Sequence, residues 1–175
     1  MENKGYTLIE MLVAITMFTV TVGAISGIFI SAIRTQRRIL ATQELLDQTS
    51  YVLEYMGRAL RMAKKDSNGT CITAGNNYEN PSGISSIRFI DYNGVCTEYF
   101  LDTGQLKKTA GGTTSELTST KLYVNSLKFN LSGELGSDIL QPRVTIFLEI
   151  LGRGTTERPK IQIQTSISQR PLDAP

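Results

Sequence analysis

The chain of 175 residues contains no histidine, no tryptophan and only two cysteines. Without histidine there is no imidazole for general acid–base catalysis, for a Ser-His-Asp triad or for a histidine-ligated metal. The sequence also lacks GxxxxGK[ST], GxGxxG, HExxH and GxSxG, and its cysteines do not have zinc spacing. These absences argue against an enzyme, and they indicate neither a cofactor nor a metal.

The chain also lacks a large excess of either sign of charge, since its net charge is +2. That value is too small to argue for nucleic acid as a partner. Lys107, Lys108 and Lys121 are the residues that would contact DNA or another anionic surface, but solvated strand ends are the favoured explanation for them. Nucleic acid is therefore not favoured as a partner.

One short acidic motif resembles the start of a calcium loop. It comprises Asp91, Asn93 and Gly94, with Asp102 as a possible further oxygen ligand. The closing glutamate of such a loop is missing at the required distance. A hairpin turn is the favoured interpretation.

A long uncharged run lies near the N terminus. Met11 to Ile33 is 23 residues without a charged side chain, and a bilayer core needs roughly 20 helical residues. Glu10 stands at the front edge of this run. A carboxylate at a membrane segment is costly unless it is paired, so Glu10 is a functional candidate.

Four interpretations account for a run of this kind. A cleaved signal peptide has a shorter apolar core, and a buried core helix would need more domain to cover it. A plain single-span anchor fits the length. The fourth interpretation depends on residues 4–14, Lys-Gly-Tyr-Thr-Leu-Ile-Glu-Met-Leu-Val-Ala.

These residues resemble the processing site of type IV pilins and type II secretion pseudopilins. In that family a short basic leader ends in glycine, and an aromatic residue, Thr-Leu-(Ile/Leu)-Glu and an apolar helix follow. The resemblance implies cleavage between Gly5 and Tyr6 by a prepilin peptidase, and methylation of the new amine of Tyr6. The family usually has phenylalanine where Tyr6 stands, and we expect processing to tolerate the added hydroxyl.

Glu10 then has a physical role in assembly. The new amine of Tyr6 would be a cation at the membrane end of the helix, and Glu10 of a neighbouring subunit could neutralise it. An unpaired charge is heavily penalised in low dielectric, so the pair would set the register between subunits. The alternative is a carboxylate that rests at the headgroup boundary.

Flanking charge disagrees with the motif on orientation. The leader has Lys4 and the start amine against Glu2, whereas Arg34, Arg37 and Arg38 follow the run. Charge alone predicts that the domain faces the cytoplasm. The motif predicts a single pass through the inner membrane with an extracytoplasmic domain, followed by entry into a pilus or pseudopilus.

Cys71 and Cys96 are separated by about 25 residues. An extracytoplasmic domain favours a disulfide between them. Otherwise they would be two buried thiols.

Beyond Ile33 the pattern becomes amphipathic, and it predicts one continuous helix from Tyr6 to about Lys65. The predicted buried face comprises Ile39, Leu45, Leu46, Val52, Leu53, Met56, Leu60 and Ala63. Residues 45–63 also resemble the W-type minor pilins and J-type minor pseudopilins. A generic amphipathic helix on a sheet would look much the same.

After Asn68 the apolar period becomes two, which predicts strands. The predicted strands are 84–90, 95–101, 121–131, 143–151 and 160–168, and a turn at 102–104 leads into a short segment, 105–108. Residues 109–120 are predicted to be a mobile loop. The expected fold class is α+β, with a long N-terminal helix (membrane half plus amphipathic half) packed on an antiparallel β-sheet domain.

The predicted organisation has five parts: a leader (1–5), a transmembrane and polymerisation helix (6–33), its amphipathic half (34–66), a β-rich globular domain (67–168) and a loose tail (169–175). The predicted function is a minor pilin or minor pseudopilin, at or near a filament tip. Its expected partners are the membrane, the prepilin peptidase, other pilin or pseudopilin subunits and the inner-membrane assembly platform. A tethered extracytoplasmic binding module that never polymerises, and a major pilin subunit, are the alternatives.

Overall fold

The computed structural model describes residues 5–135, 140–153 and 158–170, and the chain forms two compact units, Met1–Leu40 and Ala41–Pro175. Helix α1 (Leu8–Arg61) contributes residues to both units. Within the described residues seven strands follow it: β1 (Ser86–Ile90), β2 (Cys96–Asp102), β3 (Gln105–Ala110), β4 (Thr113–Glu116), β5 (Leu122–Ser132), β6 (Arg143–Gly152) and β7 (Lys160–Ser168). The predicted α+β class is confirmed.

The first unit is an apolar helix without a covering. All described residues from 5 to 40 are exposed. This part of α1 is long and apolar enough to cross a membrane, by length and composition. The hydroxyls of Thr16, Thr19, Thr21 and Ser26 donate to carbonyls three or four residues earlier in the helix. Polar groups satisfied in this way suit an apolar surrounding.

In the second unit, α1 buries one face against the sheets. Leu45, Val52, Met56 and Leu60 are each at most 2% exposed, and their spacings of seven and four keep them on one side of the helix. The predicted face was wrong at Ile39, which is 52% exposed, and at Leu46, which is 42% exposed. Leu46 follows Leu45 directly, and adjacent helical residues point about 100° apart.

The strands form two antiparallel sheets, ordered β1-β2-β3-β4 and β5-β6-β7. The two sheets and α1 share one core, in which Phe89, Tyr99, Phe129 and Ile146 are fully buried. Along β5, apolar side chains are buried and polar ones are exposed. This period-two alternation is expected of an antiparallel strand with one face on the core and the other in solvent.

The predicted mobile loop 109–120 was wrong. Strand β3 continues to Ala110 and pairs with β4 across Gly111 and Gly112. Both glycines have positive φ, 57° and 83°, as a tight two-residue hairpin turn requires. Strand β4 is exposed on both faces, so it has no apolar alternation by which the sequence could reveal it.

Helix α1 ends at Arg61, before the predicted end near Lys65. Its last carbonyls are taken by groups from distant parts of the chain. The hydroxyl of Tyr78 donates to the carbonyl oxygen of Leu60 at 2.6 Å, and the N–H of Arg170 donates to that of Arg61 at 2.8 Å. These tertiary bonds satisfy carbonyls that have no partner at a helix end.

The predicted loose tail 169–175 does not hold for its first residue. Gln169 is 3% exposed, and its amide bonds both the carbonyl oxygen of Ala63 and the side chain of Asn77. Burial and these hydrogen bonds fix Gln169 in the domain. Residues 171–175 of that prediction lie outside the described residues.

The disulfide between Cys71 and Cys96 is present, with a Cα–Cα distance of 5.4 Å. It joins the segment after α1 to the start of β2. We expect the double variant Cys71→Ser/Cys96→Ser to lose roughly 3.5 kcal/mol of unfolding free energy through a less constrained unfolded chain. Denaturant unfolding followed by circular dichroism measures this loss. Wild-type protein treated with reductant is the control, and equal stability before and after reduction would contradict the prediction.

Candidate processing and assembly site

The backbone around the expected cleavage point is not helical. Gly5, Tyr6 and Thr7 precede α1, which begins at Leu8. The hydroxyl oxygen of Thr7 accepts the N–H of Glu10 at 3.3 Å. Thr7 is therefore the N-cap of the helix, and Glu10 lies in the first turn, where the helix dipole favours an acid. The bond between Gly5 and Tyr6 lies outside the capped helix.

Gly5 and Tyr6 are open to solvent. The Tyr6 side chain is 82% exposed. A Cβ added at Gly5 would meet nothing within 4 Å, and Gly5 has no positive φ. The fold therefore does not need glycine at this position, and any requirement for it comes from another molecule.

Glu10 is exposed one helical turn after Tyr6. Among the described residues, no cation forms an ion pair with its carboxylate. Its N–H, and not its carboxylate, makes the bond to Thr7. The carboxylate is thus available to a group from another molecule.

The apolar helix presents a continuous hydrophobic surface. Every large apolar side chain from Leu8 to Ile30 is between 44% and 83% exposed. A surface of this extent marks contact with a membrane or with other proteins. The site therefore combines an exposed, non-helical peptide bond, an available acid and an uncovered apolar helix.

The residues considered for calcium have other partners. One carboxylate oxygen of Asp91 accepts the N–H groups of Asn93 and Val95, both at 2.9 Å, which is the turn geometry expected of this motif. Asp102 pairs with Lys107 at 2.6 Å. The described residues contain no cluster of three or more His, Cys, Asp or Glu side chains suited to a metal.

The three lysines considered for an anionic partner do not converge. Lys107 pairs with Asp102, and this hydrogen bond raises the pKa of the lysine. Lys108 donates to the hydroxyl of Tyr55, and Lys121 pairs with Glu44, both at 3.0 Å. Each cation therefore has its own local contact.

One residue with a clear structural role was missed by sequence reasoning. Asp66 is 2% exposed, and its carboxylate accepts the N–H groups of Asn68 and Gly69 on one oxygen and of Cys71 and Ile72 on the other. Burial by itself raises the pKa of Asp66, but the backbone N–H bonds outweigh it and hold the pKa below its usual range. The order Asp-Ser-Asn-Gly is typical of an Asx turn and was the available signal.

Comparison with known families adds one finding. Residues 1–26 match the family model described as the prokaryotic N-terminal methylation motif. The chain carries a type IV pilin-like N terminus. The motif indicates a protein processed as a prepilin by the prepilin peptidase, and assembly with other pilin subunits.

The matched region contains Gly5, Tyr6 and Glu10, and it ends inside the apolar run. No curated protein and no solved structure matches the chain. The family match therefore bears on the N-terminal helix and not on the β-rich unit. The apolar helix and the motif together indicate membrane anchoring followed by entry into a pilus.

Proposed function

We propose that this chain is a minor pilin or minor pseudopilin, built in at or near the tip of a type IV pilus or type II secretion pseudopilus. The observation that carries the proposal is the methylation motif at residues 1–26, placed on an uncovered apolar helix. A helix of this kind needs lipid or other helices around it. A filament subunit is surrounded first by lipid and, after assembly, by the helices of other subunits.

Processing is the first step of the proposed mechanism. The prepilin peptidase cleaves between Gly5 and Tyr6, and the amine of Tyr6 is then methylated. The non-helical, exposed backbone at Gly5 and Tyr6 supports this step because a protease needs an extended segment. Residues 1–5 are then the leader, and 6–33 are the transmembrane and polymerisation helix.

Assembly is the second step, directed by the inner-membrane assembly platform. The amine of Tyr6 meets the carboxylate of Glu10 on a neighbouring subunit as the apolar helices stack. The absence of an ion pair on Glu10 within the described chain supports this role. In a low-dielectric bundle such a pair favours one register, because any other register leaves two unpaired charges.

The β-rich unit is proposed to lie outside the cytoplasm. The disulfide between Cys71 and Cys96 supports this orientation, because disulfides persist in oxidising compartments. Arg34, Arg37 and Arg38 argue the other way by charge count. They lie on the continuing helix α1, and a cleaved leader is not an ordinary cytoplasmic loop.

A minor role is favoured over a major one by two features. Residues 45–63 resemble the W-type minor pilins and J-type minor pseudopilins. The second unit is also rich in strands, with seven in two sheets. The proposed division assigns 34–66 to the amphipathic half of the helix and 67–168 to the globular domain.

Cleavage gives a direct test. We expect mass spectrometry of wild-type protein from its native membrane to show an N terminus at Tyr6 with a methyl group. Gly5→Ala should remain uncut with its fold intact, because an added Cβ meets nothing within 4 Å. Gly23→Ala is the matched control, since it is equally open, and it should be cut normally. An uncut wild-type chain would favour the tethered binding module.

A further inference from the structure

Most sheet edges in the β-rich unit are protected. The outer side of β1 bonds to Lys64 and Glu79 in isolated bridges. The outer side of β5 donates from Val124 to the carbonyl oxygen of Gly104, and from Phe129 to that of Ile84. Strand β4 is an edge of only four residues. Short or covered edges are the usual protection against unwanted pairing.

Strand β7 lacks this protection. It is an edge strand of nine residues that pairs with β6 without a register shift. No proline or bulge interrupts it, and Lys160 is its only charged residue. It is therefore the long open edge of the described sheets.

The direction of its backbone groups follows from the register. Gln169 donates its N–H to the carbonyl oxygen of Pro142, and Gly152 donates to that of Pro159. Opposed residues alternate between bonded and non-bonded pairs, so the odd-numbered residues of β7 bond to β6. The N–H and C=O groups of the even-numbered Gln162, Gln164 and Ser166 point away from the sheet. Among the described residues they have no backbone partner.

A groove runs beside this edge. It has a volume of about 530 Å³ and lies between β7 and the C-terminal part of α1. Leu53 and Gly57 line the helix side, and Ile163 lines the strand side. Ile163 and Ile161 are only half-buried, which leaves apolar surface at the open edge. A Cβ at Gly57 would approach Ile167 to 3.3 Å, so glycine lets the helix pack closely on the strand here.

We propose that β7 accepts an extended strand from another protein, and that this strand has apolar side chains in the groove and an acidic residue near the end of α1. Only an extended backbone matches a row of alternating donors and acceptors. The half-buried isoleucines would then be covered.

The positive charge of the groove is the reason for expecting an acidic residue in the partner strand. Arg61 lines the groove, is exposed, and has no ion pair among the described residues. A second arginine, Arg170, lies beside Arg61 at the C-terminal end of α1, because its backbone N–H donates to the carbonyl oxygen of Arg61. Arg58, also in the groove, is already paired with Glu54 at 2.7 Å. Two copies pairing through β7 would bring identical arginine-rich grooves to one interface, so a different partner is favoured.

The proposal is independent of N-terminal processing, because every residue that carries it belongs to the unit Ala41–Pro175. The probe is a nine-residue peptide of alternating valine and threonine with aspartate at each end. We expect it to protect residues 160–168 of the full-length protein in detergent from hydrogen exchange. A peptide with lysine at each end should bind about tenfold more weakly, as should the first peptide to Arg61→Ala.

Two changes test the backbone pairing. Gln164→Pro removes an outward N–H, and we expect binding to fall at least tenfold, while Gln164→Thr keeps the N–H and binding. A peptide with a central proline makes the same test without altering the protein, so a folding defect in Gln164→Pro cannot hide the answer. Unchanged binding of the proline peptide, or absence of protection with the aspartate peptide, would overturn the proposal. Protection that rises with protein concentration alone would assign the edge to a second copy and overturn it too.

Discussion

Replacing Asp66 by alanine is expected to lower the free energy of unfolding by roughly 3–6 kcal/mol. The variant removes a carboxylate that is 2% exposed and that accepts the N–H groups of Asn68, Gly69, Cys71 and Ile72. Ile72 is buried and Cys71 is half-buried, whereas Asn68 and Gly69 are exposed. Each buried donor without a partner costs about 1–3 kcal/mol. Some of the segment relaxes into water, which keeps the total below the simple sum.

The matched variant is Asp66→Asn, which keeps the shape and one acceptor oxygen. Its amide nitrogen would face two N–H donors in place of the second oxygen, so we expect about half of the alanine loss. Urea unfolding of the full chain in detergent, followed by circular dichroism, measures both variants. Equal stability of wild type and alanine variant would show that the loop does not depend on this carboxylate.

Low pH should reduce the contribution of Asp66 to the free energy of unfolding. The pKa of Asp66 is lower in the folded protein than in the unfolded chain, where it is about 3.9. Its contribution is therefore complete above about pH 5, and it is lost as pH falls through the unfolded pKa toward the folded one. We expect the stability gap between wild type and Asp66→Ala to narrow from pH 7 to pH 3. A gap that stays constant over that range would contradict the folded-state charge.

The main elements of the fold could be predicted from periodicity, and the exceptions have physical reasons. Strand β7 was predicted with its observed bounds, because isoleucine alternates with polar residues along it. Strand β4 could not be found in this way, because its residues are exposed on both faces. The end of α1 at Arg61 depends on donors such as Arg170, more than a hundred residues later. Local sequence does not carry that information.

The functional and structural sites also differ in whether local sequence reveals them. Gly5, Tyr6 and Glu10 are predicted from a local motif, because a processing enzyme would recognise a short segment. The buried carboxylate of Asp66 and the open edge of β7 are products of tertiary structure. Asp66 directly follows the predicted helix end near Lys65, and its role emerges only when the segment folds around it. An edge strand has no sequence signature until the strand order is known.

Replacing Glu10 by glutamine is expected to leave cleavage intact and to remove the chain from filaments. The cap at Thr7 uses the N–H of Glu10, so the helix should begin normally in the variant. Loss of the carboxylate leaves the amine of Tyr6 on the neighbour unpaired in an apolar bundle. Removing one partner of a buried pair costs roughly 3–5 kcal/mol, which corresponds to more than a hundredfold loss of incorporation.

Immunodetection of the chain in sheared filaments, normalised to the membrane pool, measures this effect, and mass spectrometry of the membrane pool reports cleavage. Glu10→Asp retains the charge on a shorter side chain and should incorporate between wild type and Glu10→Gln. Thr7→Ala is the control for the helix start, because it removes the cap but keeps the carboxylate. If Thr7→Ala lost incorporation as fully as Glu10→Gln, the loss would not be specific to the carboxylate. If Glu10→Gln entered filaments at the wild-type level, the amine of Tyr6 would have another partner or none, and register would come from apolar packing alone.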